Sequence, residues 1–191
     1  MPISGENVRP VVTGHIKIVR ENKLTGEKTT VFDKPNLVLY MGMDILAKLV
    51  TGNPEYKIWG MYVGFTNDSV PTAEVEPDNT PAFADYGANE GVLKVPLLLT
   101  PSVSSTYEGY TGNKASFVAT VTGTGTEIGG YGEAPFENGS QIFEVCLVAC
   151  PVADSTGTDL VFSRKRFNPG IAYDSAYSLT IIWSLTFTLA V

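Results

Sequence analysis

The stretch at residues 179–191, LTIIWSLTFTLAV, decides the fold. Every odd-numbered position in it is apolar, and the even-numbered positions are mostly small or hydroxylated, with Ile182 as the exception. An apolar period of two predicts an extended strand that buries one face. β-Branched and aromatic side chains suit such a pleated, half-buried surface. The stretch is therefore expected to form a strand long enough to cross a whole domain.

Further segments have the composition of strands, and two of them form a predicted hairpin. The turn of this hairpin, Asn22–Gly26, ends in a glycine that can supply a positive φ. The tetrapeptide Asp33–Asn36 is expected to end the second strand of the hairpin. The predicted strands, in chain order, are His15–Arg20, Lys28–Phe32, Ile58–Phe65, Val92–Leu99, Lys114–Thr122, Gln141–Ala149 and Leu160–Phe167.

One segment, residues 40–51, has helical spacing instead. Gly52 follows it and fits the left-handed position that often ends a helix. The apolar stripe of the predicted helix consists of Ile45, Leu46, Leu49 and Val50.

These elements predict a mostly β fold, because about eight strands must bury their apolar faces against one another. The expected architecture is an antiparallel two-sheet β-sandwich, jelly-roll-like, with one short α-helix near residues 40–51. A chain of 191 residues is expected to form a single domain spanning 1–191. Long loops are expected at 66–91 and 123–139.

The charge of the chain limits its partners. Its formal net charge is −7 at pH 7 and its pI is about 4.7. Nucleic acid and anionic membrane surfaces are therefore not expected as partners, since both require a basic surface. Residues 1–10 lack a basic stretch followed by an apolar run, so no secretory signal is expected.

The only cysteines are Cys146 and Cys150. Residues four apart on a strand lie about 13 Å from each other on the same face, which is too far for a disulfide bond. The spacing predicts two buried, reduced thiols that fill the core. This expectation fits a reducing compartment during synthesis.

The sequence predicts no catalytic residues, no cofactor and no metal site, so the protein is not expected to be an enzyme. His15 is the only histidine, which excludes a metal site built from several histidines. The Gly-rich residues 123–130 lack the Lys-Ser/Thr pair and the following helix of a phosphate loop. Glu74, Glu76 and Asp78 could bind Ca²⁺ but lack the spacing of a calcium loop.

Two charged segments are candidates for an interface. Residues 66–91 contain six acidic side chains and no lysine or arginine. The basic cluster Arg164-Lys165-Arg166 is either a solvated strand end or a patch that pairs with an acidic neighbour, such as the acidic loop of a second copy. On a strand, Lys165 would face away from the two arginines. The candidate interface residues are Arg164, Lys165, Arg166, Glu74, Glu76 and Asp78.

Two separated segments resemble a known group of proteins. Together they are similar to small virion structural proteins of tailed bacteriophages, which include capsid decoration (cement) proteins and small tail, collar or fibre-associated proteins. The first segment contains Asn36-Leu37-Val38, Gly42, Ile45–Leu49, Gly52 and Ile58–Asn67, and the second contains Arg166–Ile171 and Ser178–Phe187.

The resemblance implies a non-enzymatic virion structural protein, made in the cytoplasm of a bacterial host. The leading hypothesis is a capsid decoration protein that bridges and stabilises capsid subunits as a dimer or trimer. Its partner would be the major capsid protein or another virion protein. The alternative in the same group is a tail, collar or fibre-attachment protein.

A further alternative comes from another class of protein. Tyr107, Tyr110 and Tyr131 could serve as stacking platforms for sugars in a carbohydrate-binding β-sandwich or a glycan hydrolase.

Overall fold

The computed structural model describes residues 9–50, 56–68, 90–97, 102–104, 113–122, 131–132, 135–151 and 159–190. Within these ranges the chain forms one helix, α1 (Tyr40–Val50), and ten strands. The strands are β1 (Arg9–Asn22), β2 (Lys28–Val38), β3 (Tyr56–Thr66), β4 (Glu90–Pro96), β5 (Ser102–Ser104), β6 (Asn113–Val121), β7 (Tyr131–Gly132), β8 (Gln141–Pro151), β9 (Leu160–Ala172) and β10 (Tyr177–Ala190).

The strands form two antiparallel sheets that share β2. The first sheet has the order β5-β6-β10-β1-β2, and the second continues as β2-β9-β8-β3-β4-β7. β2 pairs with β1 up to Asn36, and its last two residues, Leu37 and Val38, pair with β9 instead. The prediction of a mostly β, two-sheet sandwich with one short helix is confirmed.

β10 lies inside the first sheet and has the predicted two faces. It pairs with β1 along its whole length and with β6 on its other side. Its core-facing side chains are buried, and Trp183 is completely inaccessible to solvent. On the opposite face, Ser184 lies 3.4 Å from Ser116 across the β6 pairing, between hydroxyl oxygens. From residue 179 to residue 187, the alternation therefore separates an apolar core face from a hydroxyl-rich outer face.

The main hydrophobic core lies between the sheets. It takes large side chains from the first sheet and from the second, so neither sheet can bury its face alone. Its buried members include Ile16, Ile18, Trp183 and Leu185 from the first sheet and Met61, Val63, Val145, Leu147 and Phe162 from the second.

α1 packs against β9 and is fixed there by a close backbone approach. Ile45 joins the main core, and the Leu39 N–H donates to the Phe162 carbonyl oxygen at 3.2 Å. A Cβ atom on Gly42 would overlap that same carbonyl oxygen. Glycine at position 42 therefore lets the helix approach the sheet.

Two strands continue through prolines that lie beyond their predicted ends. The expectation that Asp33–Asn36 ends the second strand is wrong, because β2 runs through Pro35 to Val38. Similarly, β9 continues beyond Phe167 and includes Pro169. Proline is tolerated at strand positions that lack a partner on one side and at bulges. In the described chain, Pro35 has a strand on one side only and Pro169 lies in a bulge of β9.

Replacing Trp183 with alanine should lower the free energy of unfolding by about 3–5 kcal/mol, because a large buried side chain is lost. Trp183→Phe should cost less than half as much, since the buried indole N–H has no hydrogen-bond partner among the described residues. Chemical denaturation followed by circular dichroism measures both. Leu24→Ala, at a 94% exposed position, is the control and should change stability by less than about 0.5 kcal/mol. An unchanged stability in Trp183→Ala would contradict the assigned core.

Replacing Gly42 with alanine should destabilise the protein by about 1–3 kcal/mol, because the new methyl group forces α1 away from β9. The same denaturation measurement applies. Met43→Ala, one position further along the helix and partly exposed, is the matched control and should have little effect. Equal stability of Gly42→Ala and the unmodified protein would show that α1 does not dock as described.

Candidate interaction surface

A groove opens where β2 and β9 separate. The two strands pair only through Leu37 with Arg164 and Val38 with Ser163. Beyond this two-residue ladder they diverge and enclose a volume of about 610 Å³, which is in the range of binding pockets. This β2–β9 groove is lined by residues 30–34 of β2, Phe143 of β8 and residues 165–171 of β9.

An irregularity in β9 helps to widen the groove. Ile142 of β8 pairs with Ile171, and Glu144 pairs with Arg166. One residue of β8 therefore opposes the four β9 residues at 167–170, so β9 bulges out of the regular ladder. Such bulges bend a strand and redirect its side chains.

Aromatic rings form the floor of the β2–β9 groove. Phe32 and Phe167 meet edge to face with their centroids 4.7 Å apart, which joins the two diverging strands through side chains. Phe143 is buried and lies under the guanidinium of Arg166, 5.9 Å from its ring centroid. The groove is therefore apolar at its base.

Two lysines place positive charge over this floor. The ammonium groups of Lys34 and Lys165 lie 5.8 Å and 5.9 Å from the centroid of Phe32. In the described ranges, no carboxylate is within ion-pair distance of either lysine. The neighbouring Asp33 pairs with His15 at 3.0 Å and with Lys17 at 3.7 Å on the β1 side. The groove thus carries local positive charge in an acidic protein.

The two arginines of the basic cluster lie on the other face of β9. Glu144 is completely buried, and its Oε2 atom accepts a hydrogen bond from Arg166 Nε at 2.6 Å. Its Oε1 atom accepts one from Cys146 Sγ at 3.3 Å. Arg164 is itself buried, opposite Cys146 in the β8–β9 register. Lys165 lines the groove from the core-facing side of β9, and Arg166 also contributes to the lining.

The acidic candidates Glu74, Glu76 and Asp78 lie outside the described residues, so their pairing with the basic cluster stays a prediction. The carboxylate that the structure places on Arg166 is Glu144, which the sequence analysis missed. Glu144 is one of the acids within a predicted strand, flanked by Phe143 and Val145. An acidic residue inside an apolar strand was the available signal for a buried ion pair.

Both cysteines are free and buried, as predicted. Burial raises the pKa of both thiols, and the charge of Glu144 raises that of Cys146 further. The protonated form is therefore favoured at neutral pH, and protonated thiols are poor nucleophiles.

A second polar cluster lies on the face of the second sheet that points away from the main core. The Asp159 carboxylate accepts hydrogen bonds from the indole N–H of Trp59, at 3.2 Å, and from the Tyr62 hydroxyl. The Lys94 ammonium lies 3.6 Å from the same carboxylate. These groups surround a small buried cluster on that face which includes Val148. These polar side chains join β3, β4 and Asp159, the residue that precedes β9.

Other candidate chemistry is limited in the described ranges. They contain no group of three or more His, Cys, Asp and Glu side chains placed to hold a metal ion. The described ranges contain no helix that is long and apolar enough to cross a membrane. Tyr107 and Tyr110, proposed as sugar platforms, lie outside the described residues, and Tyr131 is in β7.

Replacing Arg166 with alanine should lower the free energy of unfolding by about 3–5 kcal/mol, because the completely buried Glu144 then loses its counter-charge. The double variant Glu144→Leu/Arg166→Met should recover more than half of this loss, since it removes both charges and keeps similar volumes. Urea denaturation of the three proteins measures the effect. Equal losses in the single and double variants would contradict a buried ion pair.

Comparison with protein-family models, with curated proteins and with solved structures finds no match to this chain.

Proposed function

We propose that the chain is a non-enzymatic structural protein of a tailed-phage virion, a capsid decoration protein that bridges and stabilises capsid subunits. The observation that carries this proposal is the β2–β9 groove. It exposes two strand edges beside an apolar floor. The core between the two sheets holds these edges in place. Open strand edges of this kind recognise other polypeptides.

The use of charged side chains also supports a role in binding. Glu144 binds Arg166 and Cys146, Asp159 binds Trp59, Tyr62 and Lys94, and Asp33 binds His15 and Lys17. Glu144 and Asp33 each connect neighbouring strands, and Asp159, which precedes β9, connects to β3 and β4. They hold the sandwich together, which suits a building block that presents rigid surfaces.

The segments that resemble phage virion proteins contain residues that build the fold, which supports the proposal further. Gly42 allows α1 to approach β9, and Trp183 fills the main core. Phe167 belongs to the core and also lines the β2–β9 groove. The resemblance therefore falls on residues that build the fold and on one that shapes its surface.

Binding to an assembled shell would stabilise it by mass action. A ligand present at 100 times its Kd stabilises the bound state by about 2.7 kcal/mol, provided it does not bind the free subunits. Assembly of the decoration protein as a dimer or trimer would strengthen attachment through multivalency. Sedimentation of the purified protein measures this oligomeric state.

Quantitative mass spectrometry of purified particles tests the location. A decoration protein should be present on the order of hundreds of copies per particle, in fixed ratio to the major capsid protein. Particles made without the chain should lose shell integrity at a lower temperature, and added purified chain should restore it. About a dozen copies or fewer would indicate the tail, collar or fibre instead and would contradict the decoration role.

A further inference from the structure

We propose that the β2–β9 groove binds an extended acidic segment of the neighbouring virion protein, with carboxylates of that segment placed at Lys34 and Lys165. This inference deepens the proposed function and rests on it for the source of the segment. The reasons for an extended conformation and for acidic side chains are separate, and both lie in the groove.

The extended conformation follows from the exposed strand edges. In the described chain, residues 28–36 of β2 pair only with β1. Residues 165, 166, 171 and 172 of β9 pair only with β8, on either side of the bulge at 167–170. The described outer strands β5 and β7 have three and two residues. The β2 and β9 edges therefore face each other across the groove, and neither has a second strand partner among the described residues. An added strand could hydrogen-bond to N–H and C=O groups along them.

The acidic character follows from two lysines at core-facing positions. Lys34 lies opposite Ile16 in the β1–β2 register, and Lys165 lies opposite Val145 in the β8–β9 register. Both partners are completely buried. Both ammonium groups consequently lie on the same side of the strands as the Phe32 ring. No described carboxylate neutralises their charge there. An incoming carboxylate would supply that charge, in a partly enclosed site where ion pairs are stronger than in water.

The same lysines explain how the open edges avoid unspecific pairing. Inward-pointing charges and prolines are devices by which proteins protect strand edges. Here Lys34-Pro35 lies on one edge, and Lys165 and Pro169 lie on the other. A neutral or basic strand would leave the lysines buried without a counter-charge or would repel them, whereas an acidic strand removes this penalty. The groove therefore selects by charge.

Isothermal titration of the purified full chain with three synthetic peptides tests this inference. The peptide TVTETETVT presents valine and glutamate on one face and threonine on the other when extended. TVTQTQTVT keeps its shape without the charges, and TVTKTKTVT reverses them. We expect the acidic peptide to bind about tenfold or more tightly than the glutamine peptide, and the lysine peptide to bind most weakly.

Variants of the protein assign the binding to the groove. Lys34→Gln/Lys165→Gln should abolish the preference for the acidic peptide. Lys57→Gln/Lys114→Gln changes the net charge equally at two exposed positions outside the groove and should retain it. Thermal melts verify the fold of both variants. If the first double variant does not fold, Lys34→Gln alone, at an exposed position, should still reduce the preference.

Charge reversal provides a second, independent measurement. Lys34→Glu/Lys165→Glu should bind TVTKTKTVT more tightly than TVTETETVT. Equal binding of the three peptides, binding of none, or equal loss in the Lys57→Gln/Lys114→Gln control would overturn the inference. Tight binding of a peptide with residues 72–80 of this chain, TAEVEPDNT, would assign the groove to a second copy and overturn the partner named here.

The peptide and particle experiments can fail separately. A chain present at high copy number in virions whose groove binds no acidic peptide would remove this inference and leave the proposed function standing. Lysine-dependent peptide binding by a chain absent from virions would keep the charge preference and remove the proposed function and the virion partner together.

Discussion

The short ladder between β2 and β9 is the connection on which the two-sheet architecture depends. It joins the sheets through Leu37 and Val38, and neighbouring contacts extend it. The Asn36 side-chain amide donates to the Ser163 hydroxyl at 2.6 Å, and the Leu39 N–H donates to the Phe162 carbonyl oxygen. Because the ladder is only two residues long, the sheets can splay beyond it. The same feature thus closes the sandwich at one point and opens the groove at the next.

The buried charges are arranged around this opening. Glu144 and Arg166 hold β8 and β9 together where the β9 bulge begins. Desolvating both charges is costly, and a buried pair is weak evidence for added stability. Its better-supported effect is to fix a register, since a slipped strand would leave each charge without its partner. A fixed register at this position keeps Lys165 on the core-facing side and at the mouth of the groove.

Local sequence patterns predicted the elements better than the surface they create. The alternation in residues 179–191 predicted β10 and its two faces, and the stripe around Ile45 predicted α1. The extensions of β2 and β9 through Pro35 and Pro169 were missed. Proline is a local signal for interruption. It is tolerated here because Pro35 has a described strand on one side only and Pro169 lies in the β9 bulge, and both features depend on long-range pairing.

The groove itself could not be predicted from the sequence for the same reason. Lys34 and Lys165 are 131 positions apart, and only the order of the strands brings them to one phenylalanine ring. The alternation rule did place Lys165 on the face opposite its flanking arginines. It could not identify Glu144 as the partner of Arg166, because that contact requires the bulged β8–β9 register.

The positive charge in the groove and the negative net charge of the chain affect a partner over different distances. The net charge of −7 repels an acidic partner at long range, but at physiological salt this repulsion is screened over about 8 Å. The ammonium groups of Lys34 and Lys165 act on contact, where solvent and salt screen them less. Net charge therefore limits the rate of encounter, and the groove determines which segment stays bound. The acidic composition of the whole chain and a preference for acidic segments are compatible, because different parts of the surface produce them.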